Sequence, residues 1–306
     1  MNGLELSERY WREVGLPAFA AGCPGILERA AVGLAGEGSD CFGFDDGLSR
    51  DHDWGPGFCV WLTAEDEARF GARAREVYRS LPGEYLGYTR LRVSEQTADR
   101  VGVWGIADFF ARYIGLSHAP QTMEQWRSVP EVGLFLVTNG RVFQDGAGEL
   151  TRIRQELLRY YPEELRKKKL AANCALAAQA GQYNYARCMR RGETVPAMQA
   201  LGLFVTHIQQ VVFLLNRRYA PYYKWTHRAL CELPTLGDEV GQQLRSLSTA
   251  WFRQEETIEA ISAAVIRELR TQNLSGSESD FLLDHAQEIQ QSIQDPLLQK
   301  LHLMAE

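Results

Sequence analysis

The chain is short of several features that would settle its class early. It has no long uninterrupted apolar run. The longest, near Leu201 to Leu215, is broken by His207, Gln209 and Gln210, which suits a buried helix better than a membrane span, so no membrane partner is expected. It has no excess of positive charge. A formal net charge of −6 argues against broad, nonspecific binding to a phosphate backbone and against a nucleic-acid partner. It has no Cys-x-x-Cys pair among its six cysteines. Its first residues, MNGLELSERYWREVG, are charged throughout and lack a secretory apolar core. The expectation is a reduced, cytoplasmic protein with free thiols. No internal repeat is visible, and the histidines His52, His118, His207, His227, His285 and His302 show no metal spacing.

What is present is ordinary for a globular chain: 306 residues, 45% hydrophobic and 24% charged. That is enough for one large domain or two ordinary ones. Residues 4 to 30 read as helical. Short apolar runs at Ala31–Ala35, Phe58–Leu62, Tyr88–Val93 and Val101–Ile106 read as strands, with helices over Ala64–Leu81 and Asp108–Ile114 between and after them. Gly133–Val137, the Asn139-Gly140 pair and Arg141–Phe143 read as a hairpin. After about residue 150 the periodicity becomes helical throughout: 149–161, 163–181, 196–218, 236–253, 255–272 and, after a polar SGSESD break, 281–303. The expected fold class is α+β, with a mixed β-sheet and helices over 1–150 and a helical bundle over 151–306.

The stretch most suggestive of chemistry is GEGSDCFGFDDGLSRDHDWGPGFCVWL, residues 36 to 62. Gly38-Ser39 follows an apolar run, eleven residues separate Ser39 from Asp51, and Asp51 and Asp53 alternate. Alternate residues of an extended segment project to one side, so the two carboxylates repel unless a cation lies between them. Mg²⁺ is a hard ion commonly held by one or two carboxylates and by substrate phosphates. Glycine permits close backbone approach to phosphate oxygens, and the Ser39 hydroxyl adds a donor. The plainer alternative is that SRDHD is a solvated turn in which Asp51 or Ser49 caps a neighbouring element.

On Gly38, Ser39, Asp51 and Asp53 the chain resembles the nucleotidyltransferase superfamily that includes DNA polymerase β and the aminoglycoside nucleotidyltransferases. Its pattern is a Gly-Ser or Gly-Gly pair, a short gap and then Asp/Glu-x-Asp/Glu. The string GSDCFGFDDGLSRDHDWGPGF resembles a bacterial branch known only as a domain of unknown function, and NGRVFQDGAGELTRIR (139–154) and YAPYYKW (219–225) resemble later motifs of that branch. The resemblance spans about residues 30 to 230. It implies a mixed-sheet catalytic domain, a helical bundle that helps bind nucleotide or acceptor, and a one- or two-ion Mg²⁺ site on Asp51 and Asp53. It also implies ATP or another NTP as donor, with Gly38 and Ser39 on its phosphates. The acceptor is a hydroxyl of a small molecule, such as an aminoglycoside-like sugar, or of a protein. A third carboxylate is implied as base or added ligand. Asp108, after the strand candidate VGVWGI, comes first by element order; Asp145 ends RVFQD but also fits the turn DGAGE; Glu95 is the third choice. A non-catalytic nucleotide-binding protein on the same fold is the alternative.

Other residues carry two readings each. Lys224 in the aromatic cluster Tyr219–Trp225 suits a point charge on a triphosphate, or an exposed lysine at a helix end. Arg152 and Arg154 suit phosphate contact or a solvated helix face, and the latter reading is favoured for Arg152. The basic run Arg166–Lys169 reads first as a solvated face. GQYNYARC (181–188) suits a polar pocket or, more simply, a buried hydrogen-bond network. His207 reads as a satisfied core residue, His52 as a structural hydrogen-bonder, and Cys41 and Cys59 as thiols without nucleophilic support.

Overall fold

The computed structural model describes residues 1–50, 54–91, 100–250 and 252–306. The chain divides into two compact units, Met1–Arg159 and Tyr160–Glu306. The first is a mixed sheet with helices and the second is helical, so the fold is α+β. Asp51, His52, Asp53 and Glu95 lie outside the described residues.

The strands of the first unit are β1 (Ala31–Leu34), β2 (Cys59–Leu62), β3 (Glu84–Tyr85), β4 (Tyr88–Thr89), β5 (Gly102–Gly105) and β6 (Arg141–Asp145). Four of them form one sheet in the order β5-β2-β1-β6, and β3 and β4 pair separately. β1 runs antiparallel to both β2 and β6, while β5 runs parallel to β2. Every residue of β1 and β2 is buried, which is why both appear in the sequence as unbroken apolar runs and not as alternating ones. The helices of this unit are α1 (Gly3–Tyr10), α2 (Leu16–Gly22), α3 (Ala64–Ser80), α4 (Ile106–Ile114), α5 (Met123–Ser128), α6 (Glu131–Thr138) and α7 (Glu149–Leu158). A capping box starts α1: the Asn2 side chain accepts from the Glu5 N–H, and the Glu5 carboxylate accepts from the Asn2 N–H. Thr63 caps α3 by accepting from Asp66 N–H, and Glu65, Asp66 and Glu67 suit the positive end of that helix. Tyr10, Trp11, Phe19, Phe58 and Tyr78 close the core under the sheet, with Trp11 and Phe58 ring centroids 5.1 Å apart, edge to face.

The hairpin expected over 133–143 is not formed. Residues 131–138 are the helix α6 and only the second arm, β6, is a strand. Pro130 opens the helix and its carbonyl accepts from Gly133 N–H at 2.9 Å. Gly133 lets α6 lie against α4, because a Cβ there would collide with the Tyr113 carbonyl. A short run buried over most of its surface has no clear period, so helix and strand look alike in the sequence. Asn139 is the extended residue that ends α6, and Gly140 takes a left-handed φ of 65°.

The second unit contains α8 (Glu163–Ala177), a π-helical stretch over Ala178–Tyr185, α9 (Ala186–Arg190), α10 (Thr194–Leu215), α11 (Tyr223–Cys231), α12 (Gly237–Thr249), α13 (Glu255–Thr271), α14 (Leu282–Gln291) and α15 (Pro296–Lys300). α8 is its axis, packed on α10 and α14. α10 is, among the described residues, the one helix long and apolar enough to cross a bilayer, and half of its apolar window is buried. The single helix expected over 281–303 is interrupted. Asp295 caps a new start by accepting from the Leu297 and Leu298 N–H groups, with Pro296 in the first turn.

The basic run is not a solvated face. Arg166 and Lys168 are buried. Lys168 is fully enclosed, and its ammonium donates to Gln290 Oε1 at 2.8 Å, His302 O at 3.0 Å and Leu303 O at 2.9 Å. Three donors thus meet three acceptors, which makes burial of the charge tolerable and ties the last residues to α8. Lys168→Met removes all three donors and leaves the part-buried acceptors at Gln290, His302 and Leu303 without the ammonium. It is expected to lower the free energy of unfolding by about 3 kcal/mol in a denaturant titration, whereas an exposed lysine such as Lys300→Met shifts it by less than about 0.5 kcal/mol.

Candidate functional site

Strand register places one end of the sheet around residues 36–41. Leu34 pairs with Arg141, Gly33 with Cys59, and Cys59 with Gly102. The connection leaving β1 and those entering β2, β5 and β6 therefore meet at this end. The opposite end is marked by Ala31, paired with Trp61 and with Asp145.

Leaving β1, the backbone bends at Gly36 and Gly38, with φ of 111° and 106°. It then coils through successive turns: Cys41 N–H donates to Gly38 O at 3.1 Å, Phe42 N–H to Ser39 O at 3.2 Å, Gly43 N–H to Asp40 O at 3.0 Å and Phe44 N–H to Ser39 O at 2.8 Å. The first amide in that ladder belongs to Cys41, so the Ser39 and Asp40 N–H groups at its head stand outside it, as at a helix start. Gly38 is required twice over. Its φ disfavours any side chain, and a Cβ would collide with the Arg100 guanidinium and lie 2.6 Å from Asp40 Oδ1.

Beneath the turn lies an ion pair that the motif does not advertise. Asp40 is 1% exposed; its Oδ1 accepts from Arg100 and, at 2.8 Å, from Cys41 N–H. Arg100 also donates through Nε to Glu37 O at 2.6 Å. Burial pushes the Asp40 carboxyl upward, opposed by Arg100 and the Cys41 amide. Nearby, Asp45 Oδ2 accepts from Gly3 N–H at 2.8 Å and Trp54 Nε1 at 3.0 Å. Asp40 Oδ2 and Asp45 Oδ1 are buried with no hydrogen-bond partner among the described residues. Arg50 and Trp54 flank residues 51–53, the Arg50 guanidinium lying 4.7 Å from the Trp54 ring centroid. Among the described residues no three His, Cys, Asp or Glu side chains gather as a metal site.

The remaining candidates fall elsewhere. Asp145 caps α7, accepting from Gly148 N–H and Thr151 N–H at 2.8 Å each. Asp108 is exposed in the first turn of α4, past the Gly105 end of β5. Register puts both at the Ala31 end of the sheet, about 10 Å along the strands from Leu34, so neither is brought together with Gly38 and Ser39. Lys224 is exposed in the first turn of α11, where Trp225 Nε1 donates to Tyr222 Oη at 2.9 Å and Tyr219 packs on Tyr160 and Tyr161. Arg152 is exposed near Glu156, as a solvated face requires. Arg154 is no phosphate ligand: it is buried, and burial lowers its guanidinium to about 10.

GQYNYARC is a hydrogen-bond network. Gln182 donates to Glu259 at 2.7 Å and Asp280 O at 3.0 Å, and Tyr185 Oη accepts from Gln254 N–H at 3.1 Å. His207 Nδ1 lies 2.9 Å from Asn173 Oδ1. Burial pushes the Cys41 thiol up to about 12 and raises Cys59 as well, which disfavours the thiolate at both.

Removing the charge partner of Asp40 has a calculable outcome. Arg100→Met strands a buried carboxylate and is expected to destabilise the protein by about 3–5 kcal/mol in chemical denaturation. Adding Asp40→Asn to Arg100→Met is expected to recover part of that loss. A double variant no more stable than the single one would contradict the pairing.

A family model described as a domain of unknown function (DUF4037) matches residues 126–226, from α5 to the start of α11. No curated protein matches the chain. Among solved structures the chain is similar to a nucleotidyltransferase-like protein from Exiguobacterium sibiricum 255-15, at 14% identity and a TM-score of 0.35, covering 88% of this chain and 76% of that one.

Proposed function

We propose that the chain is a Mg²⁺-dependent nucleotidyltransferase that moves a nucleoside monophosphate, by default AMP from ATP, to a hydroxyl of a small molecule or a protein. The observation that carries this reading is the loop after β1. Gly38-Ser39 heads a tight coil whose first amides lie outside its own ladder, and the same loop runs through Asp51-x-Asp53 before entering the neighbouring strand β2. Phosphate oxygens are the natural partners of such amides and of the Ser39 hydroxyl. Asp51 and Asp53 would hold one or two Mg²⁺ ions. The donor set suits a hard cation, since the loop already buries two carboxylate oxygens without donors, at Asp40 and Asp45. When bound, the metal neutralises triphosphate charge. The acceptor oxygen would attack the α-phosphorus and pyrophosphate would leave, the acceptor's proton passing to the third carboxylate, for which Asp108, Asp145 and Glu95 are the candidates.

A second reading is favoured by one observation: Asp108 and Asp145 both lie at the Ala31 end of the sheet, away from Gly38 and Ser39. A nucleotide-binding protein without transfer activity fits the same loop. The experiment is incubation with α-labelled ATP, Mg²⁺ and a panel of hydroxylated small molecules and proteins. Transfer is expected, and Asp51→Ala/Asp53→Ala is expected to reduce it at least about a hundred-fold. Label transfer that survives the double substitution would contradict the metal assignment. ATP binding without transfer to any acceptor would favour the second reading.

A further inference from the structure

We infer that Asn139 and Arg154 are positioning residues that hold the 36–41 loop in the shape that receives a triphosphate, an inference that rests on the nucleotide-binding reading of that loop. Asn139 Oδ1 accepts from Gly36 N–H at 2.9 Å, and Asn139 Nδ2 donates to Gly36 O at 2.8 Å. The side-chain amide thereby binds both polar groups of one peptide residue, as a neighbouring strand would. The next residue closes the other end: Gly140 N–H donates to Cys41 O at 3.0 Å. Two consecutive residues therefore grip the first and last residues of the loop that contains Gly38 and Ser39.

Arg154 fixes the grip. Its Nη1 donates to Val137 O at 2.8 Å, and its Nη2 donates to Thr138 O at 3.0 Å and Asn139 O at 2.7 Å. These are the last carbonyls of α6 and its cap, where a cation is favoured by the helix dipole. Burying a guanidinium on neutral carbonyls costs solvation that an ordinary glycine or asparagine cap would avoid. The cost is intelligible if the orientation of Asn139 has to be held. A lysine cannot replace the planar fork that reaches three carbonyls at once. The coupling is strict because the approach is close. A Cβ at Gly36 would lie 3.0 Å from Tyr113 Oη, and one at Gly140 would collide with Leu34 O. Close packing leaves both positions to glycine, and with no side chain at Gly36 its conformation is held by the Asn139 amide, whose loss frees it.

The test uses the full chain, with Mg·ATP as probe in calorimetry and backbone hydrogen exchange read over residues 36–41. Asn139→Ala is expected to weaken Mg·ATP binding about ten-fold and to speed exchange across the loop. Arg154→Lys is expected to do the same more mildly. Asn139→Asp keeps the acceptor for Gly36 N–H and sets a carboxylate against Gly36 O, so it should not restore affinity. Tyr78→Phe, which removes a hydroxyl bonded to Phe58 O at 2.7 Å in the same unit, lowers stability without touching residues 36–41 and should leave Kd unchanged. Faster loop exchange in Asn139→Ala with an unaltered Kd would overturn the inference, as would an equal loss of affinity in Tyr78→Phe. If Asn139→Ala fails to fold, Arg154→Lys and Asn139→Asp carry the same comparison. Wild-type protein that binds no Mg·ATP would instead defeat the nucleotide reading itself, and the inference with it.

Discussion

The side-chain amide of Asn139, bonded to both the N–H and the carbonyl of Gly36, is the constraint on which the sheet end of the first unit depends. Gly36 is where β1 gives up its strand conformation, and a residue at φ 111° keeps that conformation only if its surroundings specify it. The amide specifies it from one side and the Arg100–Asp40 ion pair from below. Between these two restraints lie Gly38 and Ser39. The function proposed for the loop is a consequence of that arrangement, because a phosphate site built from backbone amides works only if the amides are already aimed.

Arg100, Arg154 and Lys168 illustrate how the cost of enclosing a cation is met in different ways. Arg100 is matched by a carboxylate, Arg154 by three carbonyls at a helix end, and Lys168 by one amide oxygen and two carbonyls. In each case the partners come from another element of the same unit, 15 to 17 residues away for Arg154 and 60 or more for Arg100 and Lys168. Charge burial therefore acts here as a fastening between segments, and losing either partner leaves the other exposed to the full penalty of an unsatisfied buried group.

This explains which features could be read from the sequence. β1 and β2 were visible because a strand buried on both faces is a short apolar run between polar breaks, and α3 was visible because Phe70, Ala74, Val77 and Tyr78 fall on one face and the charges on the other. Gly38 was visible as half of the Gly-Ser pair that precedes Asp51-x-Asp53, and its positive φ is a structural finding. By contrast, the partner of Gly36 is 103 residues away and the partner of Asp40 is 60 residues away, and no local pattern records such pairs. The Asn139-Gly140 pair was misread for a related reason. Asparagine before glycine is a turn signal by local propensity, and here the side chain serves a tertiary contact at the end of a helix. The basic run at 166–169 was misread because charge normally means solvent, and nothing nearby in the chain announces the acceptors that enclose Lys168. Asp51 and Asp53, the residues the sequence marks most clearly, lie outside the described residues. The part proposed for them rests on the motif and on the loop that leads to them.

The most direct test of the central claim is a titration of Mn²⁺, as a spectroscopic substitute for Mg²⁺, followed by electron paramagnetic resonance with and without ATP. The account predicts that ATP creates or tightens a bound-Mn²⁺ signal in the wild-type protein, and that Asp51→Asn/Asp53→Asn abolishes it while leaving the fold intact. A bound signal indifferent to ATP, or one that persists in the double variant, would contradict it.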